Sequence, residues 1–217
     1  MRWAVEFSRD FPATYVSHLD LQRTVMRALK RSGLPVAYSA GFNPHILLSF
    51  ATAMPVGLVS ESEYFEFSTT EDFSKEEVLA ALKEAFPSGV TPKSVVNMPD
   101  NAKKLAALVT HSSYMLKAPS NFIEQMIEFI EKPSVVIDVF KKGNLKTIDV
   151  KDRIISLNRC EDGICLMLKS GQENNLNPID LTKGLFKTDV AKFNILRKGL
   201  YSTVNGKICP LIDAVIG

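Results

Sequence analysis

"VSHLDLQRTVMRALKRSG", residues 16–33, is where the hydrophobic period of the chain changes, and the change decides the fold. Leu21, Val25, Ala28 and Leu29 recur at helical spacing and form one apolar stripe. Ser17 with Asp20 three residues on resembles a capping box, and Val16 and Leu21 occupy the positions of a hydrophobic staple. Gly33 followed by Pro35 stops the helix. Upstream, "RWAVEFS" (2–8) alternates Trp3, Val5 and Phe7 against Arg2, Ala4 and Glu6, the period of a half-buried strand. Downstream, "ILLSFATA" (46–53) and "SEYFEFS" (62–68) read as strands, "SKEEVLAALKEAF" (74–86) as a helix, and "GVTPKSVVNM" (89–98) as a strand. In that helix Ser74 is the N-cap, with Glu77 at the third position and Pro87 past the end. The order is β-α-β-β-α-β, the split unit of ferredoxin-like folds.

The second half repeats the order less cleanly. "HSSYMLKA" (111–118) is a strand, "SNFIEQMIEFIEK" (120–132) a helix and "SVVIDVFK" (134–141) a strand. "KTIDVKDRIISLNRCE" (146–161) matches no single period, and "GICLMLKS" (163–170) is a strand. "NPIDLTKGLF" (177–186) sets Pro178 at the first helical position behind Asn177, and "FNILRKGLY" (193–201) closes with a strand. The expected class is α+β: two ferredoxin-like units in tandem, residues 1–100 and 110–217, with "PDNAKKLAAL" (99–108) as the connector.

Composition narrows the function classes. Of 217 residues, 46% are hydrophobic and 23% charged, which is ordinary for a globular protein. The net charge of +2 provides no bulk attraction for nucleic acid, so any basic site must be local. Cys160, Cys165 and Cys209 fit neither a zinc knuckle nor an iron–sulfur ligand set and read as thiols of a reducing compartment. "MRWAVEFSRD" lacks a long apolar leader core, and no apolar run reaches membrane-spanning length. A cytoplasmic protein is expected, with no membrane partner, no metal and no cofactor.

Two segments carry candidate chemistry. Arg23, Arg27, Lys30 and Arg31 share one helix face, with no acid interleaved to relieve their repulsion, so they suit an anion as well as they suit solvent. His18 lies in the first turn of that helix, where the dipole disfavours the imidazolium, while Asp20 nearby pushes the other way. "YSAGFNPH" (38–45) contains the Gly, Asn and Pro of a turn, and also Tyr38, Phe42 and His45, which a turn does not require. Aromatic faces beside the Asn43 amide suit a nucleobase, although the same rings could plug a core. No phosphate-binding glycine loop, dinucleotide fingerprint, nucleophile elbow or H-E-x-x-H is present, so binding outranks catalysis.

"VSHLDLQRTVMRALKRSGLPVAYSAGFNPH", with "SFATAMPVG" and "SESEY" after it, resembles the radical-SAM-linked proteins, bacterial chains carrying a domain of unknown function. The family pattern falls on Ser17, His18, Leu19, Asp20, Arg23 and Arg27. It continues onto Tyr38, Ser39, Gly41, Phe42, Asn43, Pro44 and His45, then Pro55, Gly57, Ser60 and Glu63. Ile46 departs from it, since many relatives have a second proline there. The resemblance implies a radical SAM protein as partner. A fold-level likeness to CRISPR repeat-processing endoribonucleases, and more distantly to tRNA pseudouridine synthases, adds RNA as a ligand class, with no DNA expected. The leading expectation is a non-catalytic module that binds RNA or presents it for modification. Arg23, Arg27, Lys30 and Arg31 would hold phosphates, while Tyr38, Phe42, Asn43 and His45 would hold a base. Two alternatives stay open: an RNA-processing enzyme with His18 or His45 as general base, and an adaptor docking the radical SAM protein without touching RNA.

Overall fold

The structure, a computed structural model, describes residues 1–141, 143–161, 163–171, 174–187 and 194–216. In chain order the elements are β1 (Arg2–Arg9), α1 (His18–Arg31), β2 (Leu48–Phe50), β3 (Val59–Ser68), α2 (Lys75–Ala85), β4 (Val90–Met98) and α3 (Leu105–Leu108). There follow β5 (His111–Lys117), α4 (Ser120–Glu131), β6 (Val136–Lys141), β7 (Asn144–Asp149), β8 (Ile154–Cys160), β9 (Gly163–Lys169) and α5 (Pro178–Phe186). β10 (Asn194–Val204), β11 (Lys207–Pro210) and α6 (Asp213–Ile216) complete the chain. The class is α+β with antiparallel pairing throughout the registered strands. Phe193, the expected first residue of the closing strand, lies outside the described residues.

The chain divides into two compact units, Met1–Val109 with Gly199–Gly217, and Thr110–Lys198. The residues from Gly199 onward thus group with the first unit and not with the segment that precedes them.

In the first unit β1 pairs with both β4 and β3, and β2 pairs with the far side of β3, giving the order β4-β1-β3-β2. One face of this sheet buries Trp3, Val5, Phe7, Phe65 and Phe67 against Leu21, Val25 and Leu29 of α1 and Val78 and Leu82 of α2. The alternation read from "RWAVEFS" is therefore the packing face of the two helices. The opposite face is also covered, since Ala4 and Tyr64 pack with Leu105, Leu200, Leu211 and Val215.

α1 starts where its capping residues put it. The Ser17 hydroxyl accepts the Asp20 backbone N–H at 3.2 Å and donates to the Asp20 carboxylate at 2.8 Å. Asp20 is too short to return to the Ser17 backbone; Glu77 of α2 does reach the Ser74 backbone N–H, at 2.8 Å, and completes a full box. Gly33, at φ +73°, turns the chain out of α1.

β2 is shorter than the expected strand 46–53. Ile46 and Leu47 are drawn into a small hairpin instead: Leu47 N–H bonds the Ala37 carbonyl at 3.0 Å and Ser39 N–H the His45 carbonyl at 2.8 Å. The loop 40–44 is the tip of that hairpin.

In the second unit β9 lies between β5 and β8, and the Asn194–Lys198 portion of β10 follows β5. The ambiguous stretch 146–161 holds most of β7, a single 3-10 turn at Lys151–Arg153, and β8. Among the described residues β6 and β7 pair only with each other, as a separate two-stranded ribbon.

Candidate functional site

The two candidate histidines lie at opposite ends of the first unit's sheet. α1 returns antiparallel to β1, so its C-terminus and the hairpin 37–47 share the end marked by Arg2 and Ser68, where Ala37 N–H bonds the Ser68 carbonyl at 2.8 Å. β2 then runs away from the hairpin toward the N-terminus of α1, where Phe50 meets His18. His45, Tyr38, Phe42 and Asn43 accordingly stand at the Lys30 and Arg31 end, and His18 does not join them.

At the hairpin end Phe42 is fully exposed and Tyr38 half-exposed, so neither ring plugs a core. Gly41 takes φ +115°, a backbone that side chains resist, and this bends the tip so that Phe42 stands clear. His45 is also exposed, but its ring is tethered: the Ser39 hydroxyl lies 2.8 Å from Nδ1 and accepts the His45 backbone N–H at 3.1 Å. The ring position is set while Nε2 keeps its freedom to meet a ligand.

Along α1 all four expected cations are exposed. Arg23 pairs with Asp20 at 2.8 Å, an exposed pair worth under about 1 kcal/mol. Asp20 is held below the usual carboxylate range by the Ser17 hydroxyl first and by Arg23 second. Arg31 donates to the Ala85 carbonyl at 2.8 Å and so caps the C-terminus of α2. Among the described residues Arg27 and Lys30 form no ion pair within 4.0 Å. Two of the four charges are thus engaged by the protein itself, and two are available outright.

At the other end His18 is half-buried, its ring edge-on to Phe50 with centroids 5.3 Å apart and its Nε2 3.2 Å from Gln22 Nε2. Burial pulls its pKa below 6.5, Arg9 adds to the lowering, and Glu63 opposes it. Asp20 is engaged by Ser17 and Arg23, and burial and Arg9 act in the same direction as the helix dipole invoked from sequence, keeping the ring neutral. Arg9 itself was missed by sequence reasoning. It is completely buried, donating to the carbonyls of Ala13 at 3.0 Å and of Thr14 and Val16 at 2.8 Å each. The signal was present, because Arg9 continues the inward series Trp3, Val5, Phe7, where a charge is out of place.

A pH dependence follows. His111 is also shifted downward, by burial first and Lys169 second. For both rings the unfolded chain takes up protons first, so their stabilisation is complete above 6.5 and is lost as pH falls toward their lower folded values. Urea midpoints should therefore decline between about pH 7 and pH 5, and His18→Gln should make the decline shallower. A midpoint that holds or rises toward pH 5 would contradict this assignment.

Among the described residues no group of three His, Cys, Asp or Glu is arranged to hold a metal ion, and no helix is long and apolar enough to cross a membrane. Cys165 hydrogen-bonds with Cys160, which with burial pushes its thiol above the usual range. No curated protein matches the chain. A family model does match, over residues 2–178, which takes in the first unit's leading segment from Arg2 to Val109 and most of the second unit, and stops short of Gly199–Gly217. The chain therefore belongs to the bacterial family described as "uncharacterized protein conserved in bacteria (DUF2344)".

Proposed function

We propose that this protein is a non-catalytic RNA-binding module that presents its RNA to a radical SAM partner for modification. The observation that carries the RNA reading is the joint exposure of Phe42 and of the cationic face of α1, whose Lys30 and Arg31 end lies toward the hairpin. An exposed aromatic face offers stacking to any base, and the cations track the backbone. The partner is supported by the resemblance to radical-SAM-linked proteins, and the cytoplasmic location by the three cysteines read as thiols of a reducing compartment. The strand orders β4-β1-β3-β2 and β10-β5-β9-β8 correspond position by position, which supports a ferredoxin-like tandem with the β6–β7 ribbon inserted in the second unit.

The test is filter binding of single-stranded RNA at several salt concentrations. Arg23, Arg27 and Lys30 are replaced together by alanine, leaving Arg31 to cap α2. Each lost phosphate contact reduces the log–log salt slope by roughly 0.7, so the triple variant should lose roughly 2 from it, whatever the RNA sequence. Phe42→Ala should cost about 1–3 kcal/mol with the slope unchanged, because no counterion is released at a base face. Absence of binding at low salt would overturn the reading and leave the adaptor role.

A second reading, an RNA-processing enzyme, is favoured by one observation: His18 is neutral and partly accessible, as a general base must be. A gel of the same binding mixtures tests it, since cleavage by wild type that His18→Ala abolishes would establish catalysis.

A further inference from the structure

Beneath the hairpin lies a cavity of about 440 Å³, contained in the first unit and bounded by the hairpin base, the start of β2 and residues 102–104. Its size falls within the range of small-molecule sites. Arg2 closes one side. Its guanidinium pairs with the buried Glu66 at 2.8 Å and donates to the Ala102 carbonyl at 2.8 Å, tying the sheet to the 102–104 run. Arg2 is therefore a neutralised brace that shapes the cavity.

Three other features give the cavity its chemistry. Lys104 lines it, is exposed, and forms no ion pair among the described residues. His45 lines it with its ring held through Nδ1 by Ser39. Leu48 lines it with an open backbone edge. Ala51 N–H bonds the Tyr64 carbonyl at 2.9 Å, so Ser49, two residues back, also faces β3, while Leu48 presents its N–H and C=O to the far side, where β2 has no strand partner among the described residues. Leu47, exposed and part of the lining, adds an apolar wall.

The geometry points to a binding site for one nucleotide: Lys104 and His45 take its phosphate, and the Leu48 donor–acceptor pair reads the edge of its base against Leu47. A simple anion would leave the Leu48 edge and the apolar wall unused, and an apolar ligand would leave Lys104 and His45 unused. Single-stranded RNA is commonly recognised by splaying a base out and hydrogen-bonding its edge. The inference rests on the RNA reading for the origin of the nucleotide. The cavity would then hold one unstacked residue of the strand that α1 and Phe42 engage.

The test titrates the full ¹⁵N-labelled chain with the four nucleoside 5′-monophosphates, with the parent nucleosides, and with inorganic phosphate. Monophosphates should shift the amides of Leu47, Leu48, Ser49 and Lys104 at lower concentration than either half alone. Lys104→Glu, on an exposed side chain, should weaken this binding about tenfold, the loss of one charge-assisted hydrogen bond. Replacing Arg23, Arg27 and Lys30 should leave it unchanged. Monophosphates that do not move these amides, inorganic phosphate that reproduces the whole response, or an unaffected Lys104→Glu would each overturn the site. The two readings separate cleanly. Mononucleotide binding without RNA binding keeps the site and sinks the module, and RNA binding with no mononucleotide response does the reverse.

Discussion

Phe65→Ala should destabilise the protein by about 3–5 kcal/mol, a large share of what a domain of this size has to lose. Phe65 is fully buried on β3 and is the hub of an aromatic cluster on the α1 and α2 face. Its ring lies 5.6 Å from Phe7, 5.8 Å from Phe50, 6.1 Å from Phe67 and 5.9 Å from Phe86, centroid to centroid, and is stacked on the last. Truncation removes the transfer free energy of the ring and leaves a void that four rigid neighbours cannot close, since each is anchored on a different element. The effect should reach the candidate site, because Phe50 supports the His18 ring. Urea unfolding measures the loss as a lower midpoint at unchanged slope. A cost under about 1 kcal/mol would mean that the cluster repacks, and that Phe50 does not depend on it.

The parts of the fold legible in the sequence are those where one side-chain period runs long enough to be read. α1 and α2 were placed to within two residues, because an apolar stripe and a capping serine agree on where each begins. β1 was legible from alternation alone, and β4 was placed to within one residue. Legibility failed where burial does not follow a period. Among the described residues β7 pairs only with β6, and nearly all of its own residues face solvent, so no alternation marks it. β11 and α6 are four residues each, too short to carry any period. The grouping of residues from Gly199 onward with the first unit is a fact of contacts in space, and "ILRKGLY" reads the same in either unit.

The candidate site divides the same way. The cationic stripe and the hairpin were legible because helical spacing and turn chemistry are local properties. The cavity was not, because Arg2 and Lys104 come from opposite ends of the first unit's leading segment and only sheet pairing brings them to one place. Phe42 shows the limit of local reading: the sequence left its ring open to stacking or to core, and only the hairpin geometry decides for exposure.

Arg9→Met should cost about 3–5 kcal/mol and should also change the titration of His18. The guanidinium is wholly buried and satisfies the carbonyls of Ala13, Thr14 and Val16, the turn that delivers the chain from β1 into α1. Methionine fills much of the volume but offers no donor, so these acceptors lose a charged partner inside the protein. The same change removes the positive field that helps hold His18 neutral, while Glu63, which favours the imidazolium, remains. The His18 pKa should therefore rise, though burial keeps acting against the charge. Arg9→Lys separates the two roles. It retains the charge and forfeits the planar fork, so stability should fall while His18 stays neutral at neutral pH. Urea unfolding reports the first effect and an NMR titration of the His18 ring reports the second. If Arg9→Met leaves the His18 titration where it was, burial alone sets that ring, and Arg9 serves only to fold the entry to α1. If the pKa rises, one buried arginine both builds the turn and sets the protonation state of the histidine above it. Any chemistry at His18, including the catalytic alternative, would then depend on Arg9.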